Sequence, residues 1–200
     1  MTRISALPFE QWEPELRQMF EKAGIDPSER QYKASSVLAN APHMAKANMA
    51  FMGTAMQGHK LSRRLLELVR LRLAFHNQCR SCMAMRFKAA LDDGFTEDLV
   101  CSLENPPEAT DLHDREKAAL EYADLFALNH FAISDETFDK LRLHLSEAEI
   151  VELGMFCAFY FGVGRLFASW DMTEELPKVY QDKSTKAAPW KAPGEIMFVR

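Results

Sequence analysis

Apolar positions along this chain recur mostly at intervals of three and four residues, the spacing that gathers them on one face of a helix. From residue 61, the run LSRRLLELVRLRLAFH sets Leu65, Leu66, Val69 and Leu73 on one stripe, with Ser62 placed to cap it. Asn77 is placed to cap a following helix that runs through Cys79 and Cys82 to Leu91. That helix stops at Asp92-Asp93-Gly94, with Gly94 in the left-handed terminal position. Thr96 opens a short helix ended by Pro106-Pro107, Asp111 with Asp114 marks another reaching about His130, and Ser134 opens the next. Ser146-Glu147-Ala148-Glu149 has the spacing of a capping box and leads into a long apolar helix toward Trp170. Nearer the start, Pro14 suits the first turn of a helix closed by Gly24, and Pro42 begins one reaching Gln57-Gly58. No alternating segment of more than a few residues reads as a strand. The pattern predicts an all-α fold.

It also predicts one helical domain over residues 1–176, with core helices from about 42 to 170, followed by an extension over 177–200. The extension is polar and proline-containing, then ends on Ile196, Met197, Phe198 and Val199. A free apolar end is wasteful, so it is expected to pack on its own domain or on a neighbouring subunit. The openings LSRRLLEL and LSEAEIVEL are weakly alike, as two well-capped helices are, and set Glu152 at the position equivalent to Glu67. Met49, Met52 and Met56 stand at helical spacing and read as core filling.

The 200 residues are 48% hydrophobic and 26% charged, enough for a globular core, and the formal charge of −5 argues against nucleic acid as a partner. The N-terminal stretch has no apolar segment with a cleavage site, and no window is expected to approach the roughly 18 apolar residues that span a bilayer. The expected compartment is the cytoplasm, with no membrane partner. Thiols stay reduced there, and a Cys-x-x-Cys pair is more often catalytic or metal-binding than a structural disulfide.

That pair is the sequence's main chemical feature: Cys79 and Cys82, two of four cysteines, with His76 just before them and Arg80 and Arg86 close by. Three readings compete. The cysteines could be buried core thiols. They could be half of a zinc site, but His76, Cys101 and Cys157 offer no second closely spaced pair. They could be a redox dithiol, whose reactive thiolate is favoured by a helix N-terminus and by nearby cations. On a continuous helix Arg86 lies one turn after Cys82 on the same face. Glu67 and His76 are the nearest groups able to move protons. Cys101 and Cys157 fall on apolar faces and read as inert, and nothing in the spacing connects His130 or His144 to the pair.

Glu67 followed twelve residues later by Cys79-x-x-Cys82 resembles the alkylhydroperoxidase D branch of the carboxymuconolactone decarboxylase family. So do LSRRLLELVRLRLA before the pair, AALDDG after it and LSEAEIVELGMFCAFYFGVGRLF further on, over roughly residues 4 to 176. The resemblance implies a helical trimer or hexamer with no metal or organic cofactor, reducing a peroxide substrate with a thiol or dithiol reductant. It implies that Cys82 attacks the peroxide, that Cys79 resolves and that Glu67 feeds a proton relay. Where the family's relay histidine stands, this chain has Arg86, and Ser81 stands between the cysteines in place of a histidine found in some members. Arginine keeps a positive charge there but does not release its proton. The dipole argument instead favours Cys79 as the more acidic thiol. Two other functions remain open: a cofactor-free decarboxylase or lactone-acting enzyme, for which a Cys-x-x-Cys pair has no use, and a non-catalytic redox-sensing oligomer.

Overall fold

A computed structural model of the chain describes residues 2–24, 30–191 and 197–199. In chain order the helices are α1 (Pro14–Lys22), α2 (Arg30–Leu38), α3 (Pro42–Gly58), α4 (Arg63–His76), α5 (Arg80–Met83), α6 (Lys88–Asp92), α7 (Glu97–Ser102), α8 (Asp114–Leu128), α9 (Asp135–Arg142), α10 (Glu147–Trp170) and α11 (Lys178–Gln181). Two three-residue strands, β1 (Met85–Phe87) and β2 (Met197–Val199), pair with each other. The fold is mostly helical, as the periodicity predicts. The described chain divides into two compact units, residues 2–59 and 60–198, and the 177–191 stretch belongs to the second.

In the first unit Pro14 occupies the first turn of α1, the Glu13 carboxylate accepts from the Leu16 N–H, and Gly24 ends the segment at φ +65°. Trp12, Leu16, Phe20, Ala39 and Ala45 form its core, with Met49 packed against them. Met52 and Met56 are half-buried.

The second unit is built around α4. The Ser62 hydroxyl caps it at the Leu65 N–H, 3.1 Å away, and Leu65, Leu66, Leu68, Val69, Leu71 and Leu73 are all buried. They pack mainly against α8 and α10. The capping box of α10 forms as the spacing predicts, with the Ser146 N–H donating to Glu149 at 2.8 Å. α8 begins at Asp114 with His113 as its cap, later than expected, because Asp111 is held in the preceding loop by the Ser102 hydroxyl at 2.6 Å. α10 is 24 residues long, with an 18-residue window of mean hydropathy 1.5, so by length and composition it could cross a membrane. This corrects the expectation that no window of the chain approaches spanning length. Its Ile150, Leu153, Phe156 and Cys157 are nevertheless core residues of this unit.

The largest departure lies at the cysteines. The expected helix through Leu91 breaks into α5, β1 and α6, and Asn77 ends α4 rather than starting a helix. Guanidinium groups account for the break. Arg70 takes the carbonyls of Cys82 and Met85, and Arg86 takes those of Met83 and Met85. A continuous helix would offer those oxygens to N–H groups four residues on. The Phe87 N–H goes instead to the Glu67 carboxylate at 3.3 Å. Gly94 does take the left-handed conformation, at φ +80°.

Because Leu71 is fully buried in the α4 core, Leu71→Ala should cost about 2–5 kcal/mol of unfolding free energy. Urea denaturation followed by far-UV circular dichroism measures it. An unchanged midpoint would mean that α4 is not the centre of this unit.

Candidate functional site

The site begins where α4 ends. Gln78 is held in the left-handed region at φ 51°, turning the chain so that the Cys79 N–H returns to the Ala74 carbonyl at 2.9 Å. Cys79 then caps α5, its sulfur accepting from the Cys82 N–H at 3.3 Å and lying 3.3 Å from the Ser81 hydroxyl. Cys79 and Cys82 are joined as a disulfide. The two sulfurs are placed unequally, since Cys79 is fully buried while Cys82 is half-buried. External chemistry therefore reaches Cys82 first. If a thiolate attacks there, Cys79 leaves as an anion into an N–H and a hydroxyl, and a stabilised leaving group speeds exchange.

Glu67 and Arg70 form a buried pair under this turn, with bonds of 2.7 Å from both Nε and Nη2 to the two carboxylate oxygens. Arg70 also holds the Cys82 carbonyl at 2.7 Å and lies over the Phe87 ring at 5.1 Å. Burial works against the Arg70 charge, but Glu67 outweighs it and holds the guanidinium above its ordinary pKa. Tyr160 of α10 interacts with the same pair. Burial is the main influence and pushes its hydroxyl well up, with Arg70 pulling down and Glu67 pushing up, so it stays a neutral phenol.

The other candidates are engaged elsewhere. The His76 Nε2 meets the Asp124 carboxylate on α8 at 2.6 Å, and Arg72 binds the same carboxylate at 2.7 and 2.9 Å. Burial opposes the Asp124 charge, yet these two partners bring its pKa below the usual value. Arg86 lies on β1, fully buried, with Nε 2.8 Å from Glu97. The picture of Arg86 on one helical face with Cys82 is therefore corrected: that helix stops at Met83, and the guanidinium is committed to Glu97 and two carbonyls. Arg80 is likewise bound to the carbonyls of Tyr180, Asp182 and Thr185. Cys101 is exposed rather than on a buried apolar face, whereas Cys157 is buried, which pushes its thiol up. Among the described residues no three His, Cys, Asp or Glu side chains cluster as metal ligands.

Two features of the site have no counterpart in the sequence pattern. A Cβ built on Gly164 of α10 would come within 2.9 Å of the Asn77 amide nitrogen and 4.0 Å of the Cys82 sulfur, so α10 passes close beside that sulfur. The segment after α10 covers the other side. Tyr180 and Leu176 pack with Ala74, Met83 and Ala84, and the Gln78 amide exchanges hydrogen bonds with the Ala187 N–H and carbonyl. Glycine close to a cysteine in space leaves no signal in a single sequence.

Residues 42–125 match the Carboxymuconolactone decarboxylase family. Two uncharacterized proteins of Mycobacterium tuberculosis, from strains CDC 1551 / Oshkosh and ATCC 25618 / H37Rv, are 38% identical over 87 residues. That match spans 44% of this chain and 31% of theirs. The structure is similar to an alkylhydroperoxidase AhpD core from Ralstonia eutropha JMP134, an uncharacterized peroxidase-related protein. The TM-score is 0.71 at 19% identity, covering 86% of this chain and 90% of that one. An uncharacterized peroxidase-related protein from Silicibacter sp. TM1040 gives 0.65 at 18% identity, covering 86% and 91%.

Arg86→Ala should destabilise the protein by about 1–3 kcal/mol, since it strips a donor from the Met83 and Met85 carbonyls. The pH profile of iodoacetamide alkylation at Cys82 should not move. An alkaline shift of that profile would show that Arg86 acts on the sulfur after all.

Proposed function

We propose, from the match of residues 42–125 to the carboxymuconolactone decarboxylase family, that Cys79 and Cys82 work as a thiol peroxidase, cycling between dithiol and disulfide. The observation that carries the reading is the paired, unequally exposed cysteines at the start of α5, already close enough to bond. Cys82 as thiolate attacks the terminal oxygen of a hydroperoxide, ROOH. The O–O bond breaks, Cys82 becomes a sulfenic acid, and the alkoxide takes a proton to leave as ROH. Cys79 as thiolate then attacks the Cys82 sulfur, forming the disulfide and expelling hydroxide, which is protonated to water. A thiol or dithiol donor reduces the disulfide and completes the cycle in the cytoplasm.

In this reading Glu67 acts through Arg70, which holds the Cys82 carbonyl, and Tyr160 is a neutral hydroxyl beside the same pair. His76 is bound to Asp124 and Arg86 to Glu97, so neither stands ready as a relay. Those two engagements favour a second reading, a redox sensor whose disulfide forms with little turnover. Positioned acid–base groups contribute about 10²–10⁴-fold, which is the rate gap that separates the readings.

Stoichiometric hydroperoxide added to the fully reduced protein should remove two thiols and leave a Cys79–Cys82 disulfide, located by peptide mass mapping. Cys82→Ser should abolish peroxide consumption, while Cys79→Ser should trap Cys82 as a sulfenic acid. Four thiols surviving the peroxide would overturn both readings. Rapid catalytic consumption with a dithiol donor would eliminate the sensor.

We also propose that copies of this chain assemble, as a trimer or hexamer, through α10. Val151, Met155, Ala158, Gly162 and Leu166 are exposed on it at spacings of three and four, with Val151 65% and Met155 52% accessible. The occupant of such a seam is taken to be the same helix of a second copy. Light scattering at micromolar concentration should give a multiple of 22.9 kDa. A monomer would refute the assembly.

A further inference from the structure

The arginines of the 60–198 unit are almost all neutralised. Arg64 sits on Glu116, Arg70 on Glu67, Arg72 on Asp124, Arg86 on Glu97, Arg115 on Glu149 and Arg142 on Glu147. Arg80 donates its hydrogen bonds to backbone carbonyls and lies within electrostatic reach of the Asp182 carboxylate. Arg165 differs. Its Nε donates to the Asn77 amide oxygen at 3.0 Å, and its guanidinium lies 4.3 Å over the Phe161 ring. Among the described residues no acid meets its two terminal nitrogens, and the side chain is exposed.

The setting of this cation is built rather than incidental. Asn77 is 7% exposed and fixed at both ends of its amide, giving its N–H to the Phe161 carbonyl at 2.9 Å and its oxygen to Arg165. The same amide, with the Cys82 sulfur, flanks Gly164, the residue directly before Arg165. The guanidinium is thus held from its Nε side and by the ring face, while its Nη groups remain open, one residue along α10 from the glycine that faces the half-buried sulfur. A planar fork of N–H donors of this kind suits a carboxylate.

We infer that Arg165, oriented by Asn77 and Phe161, is a specificity residue that recruits the carboxylate of an anionic substrate to Cys82. The substrate class is a small thiol bearing a carboxylate, which reduces the disulfide. This rests on the dithiol reading above. The reaction balances without a further reagent. One thiolate attacks the Cys82 sulfur and releases Cys79 as a thiolate that takes a proton, leaving a mixed disulfide. A second thiolate attacks the small-molecule sulfur of that mixed disulfide, freeing Cys82 and giving the oxidised small disulfide.

A charge-matched pair of reagents tests the subsite. The reduced full-length protein is alkylated with iodoacetate, an anion, or iodoacetamide, its neutral analogue, and the rate at Cys82 is read from its peptide by mass spectrometry. Both reagents depend equally on the thiolate fraction at Cys82, so any shift in thiol acidity cancels in their ratio. Arg165→Gln should lower the iodoacetate-to-iodoacetamide ratio by about two- to fivefold, the size expected from an exposed ion pair. Arg165→Lys should keep most of the preference, and the ratio at exposed Cys101 should stay constant. In parallel, 3-mercaptopropionate should lose its advantage over 2-mercaptoethanol, compared per thiolate, in reducing the Arg165→Gln disulfide. An unchanged ratio at Cys82 in Arg165→Gln, or an equal fall at Cys101, would overturn the subsite while leaving the dithiol reading intact. Failure of both reagents to reach Cys82 in the wild type would overturn the dithiol reading itself.

Discussion

The turn that carries Cys79 and Cys82 depends on the Glu67–Arg70 ion pair. Two charges that are 2% and 5% exposed persist only if their geometry and remaining hydrogen bonds compensate for desolvation, and here they do. Both carboxylate oxygens are bound, and the two terminal nitrogens of Arg70 reach the carbonyls of Cys82 and Met85. Breaking such a pair by removing one partner costs about 3–5 kcal/mol. That cost would fall on α5 and β1, the segment carrying the cysteines. The pair therefore sets where the helix after Cys79 stops, and so which direction each sulfur faces.

From this anchor follows the inequality of the sulfurs. A Cys-x-x-Cys on a long straight helix would expose both residues to similar surroundings. Here α5 is only four residues, and Cys79 is its cap rather than a member of it. Cys79 is fully buried with an N–H aimed at its sulfur, while Cys82 packs partly buried against the Leu176–Tyr180 cluster and faces α10 at Gly164, where the absence of a side chain leaves room. The left-handed Gln78 makes the turn possible, and its amide is held by Ala187, 109 residues away in sequence. Leaving-group stabilisation and access, two requirements of thiol exchange, are assigned to different cysteines by packing alone.

Local signals are legible in this sequence and distant ones are not, for a physical reason. Ser62, Ser134, Ser146, Pro14 and Gly94 act within four residues of themselves, so the order of residues alone is enough to place their caps and turns. The Cys-x-x-Cys pair and Glu67 are visible for the same reason. Expectation and structure part where an ionic partner lies elsewhere: Asp124 is 48 residues from His76, and Glu97 is 11 from Arg86. Helical periodicity around residues 83–87 is also real, but guanidinium groups competing for the carbonyls override it. Gly164 and Arg165 carry no pattern at all and Asn77 only that of a cap, since their joint meaning arises only when α10 crosses the end of α4.

The charge distribution around the pair then separates two effects that the sequence merges. Arginines near a Cys-x-x-Cys motif suggest cations that stabilise a thiolate, yet Arg70, Arg80 and Arg86 are all saturated by carboxylates or carbonyls. Arg70 and Arg86 are balanced by Glu67 and Glu97, and all three guanidinium groups shape the backbone through the carbonyls they hold. What stabilises anionic sulfur here is short-range and directional, the Cys82 N–H and the Ser81 hydroxyl at Cys79. Arg165 differs from Arg70 and Arg86 in that the Asn77 amide and the Phe161 ring that hold it carry no negative charge. Stabilisation of the buried cysteine and the proposed attraction of a charged substrate to the exposed one thus fall to different groups. A substitution that changes one can leave the other untouched.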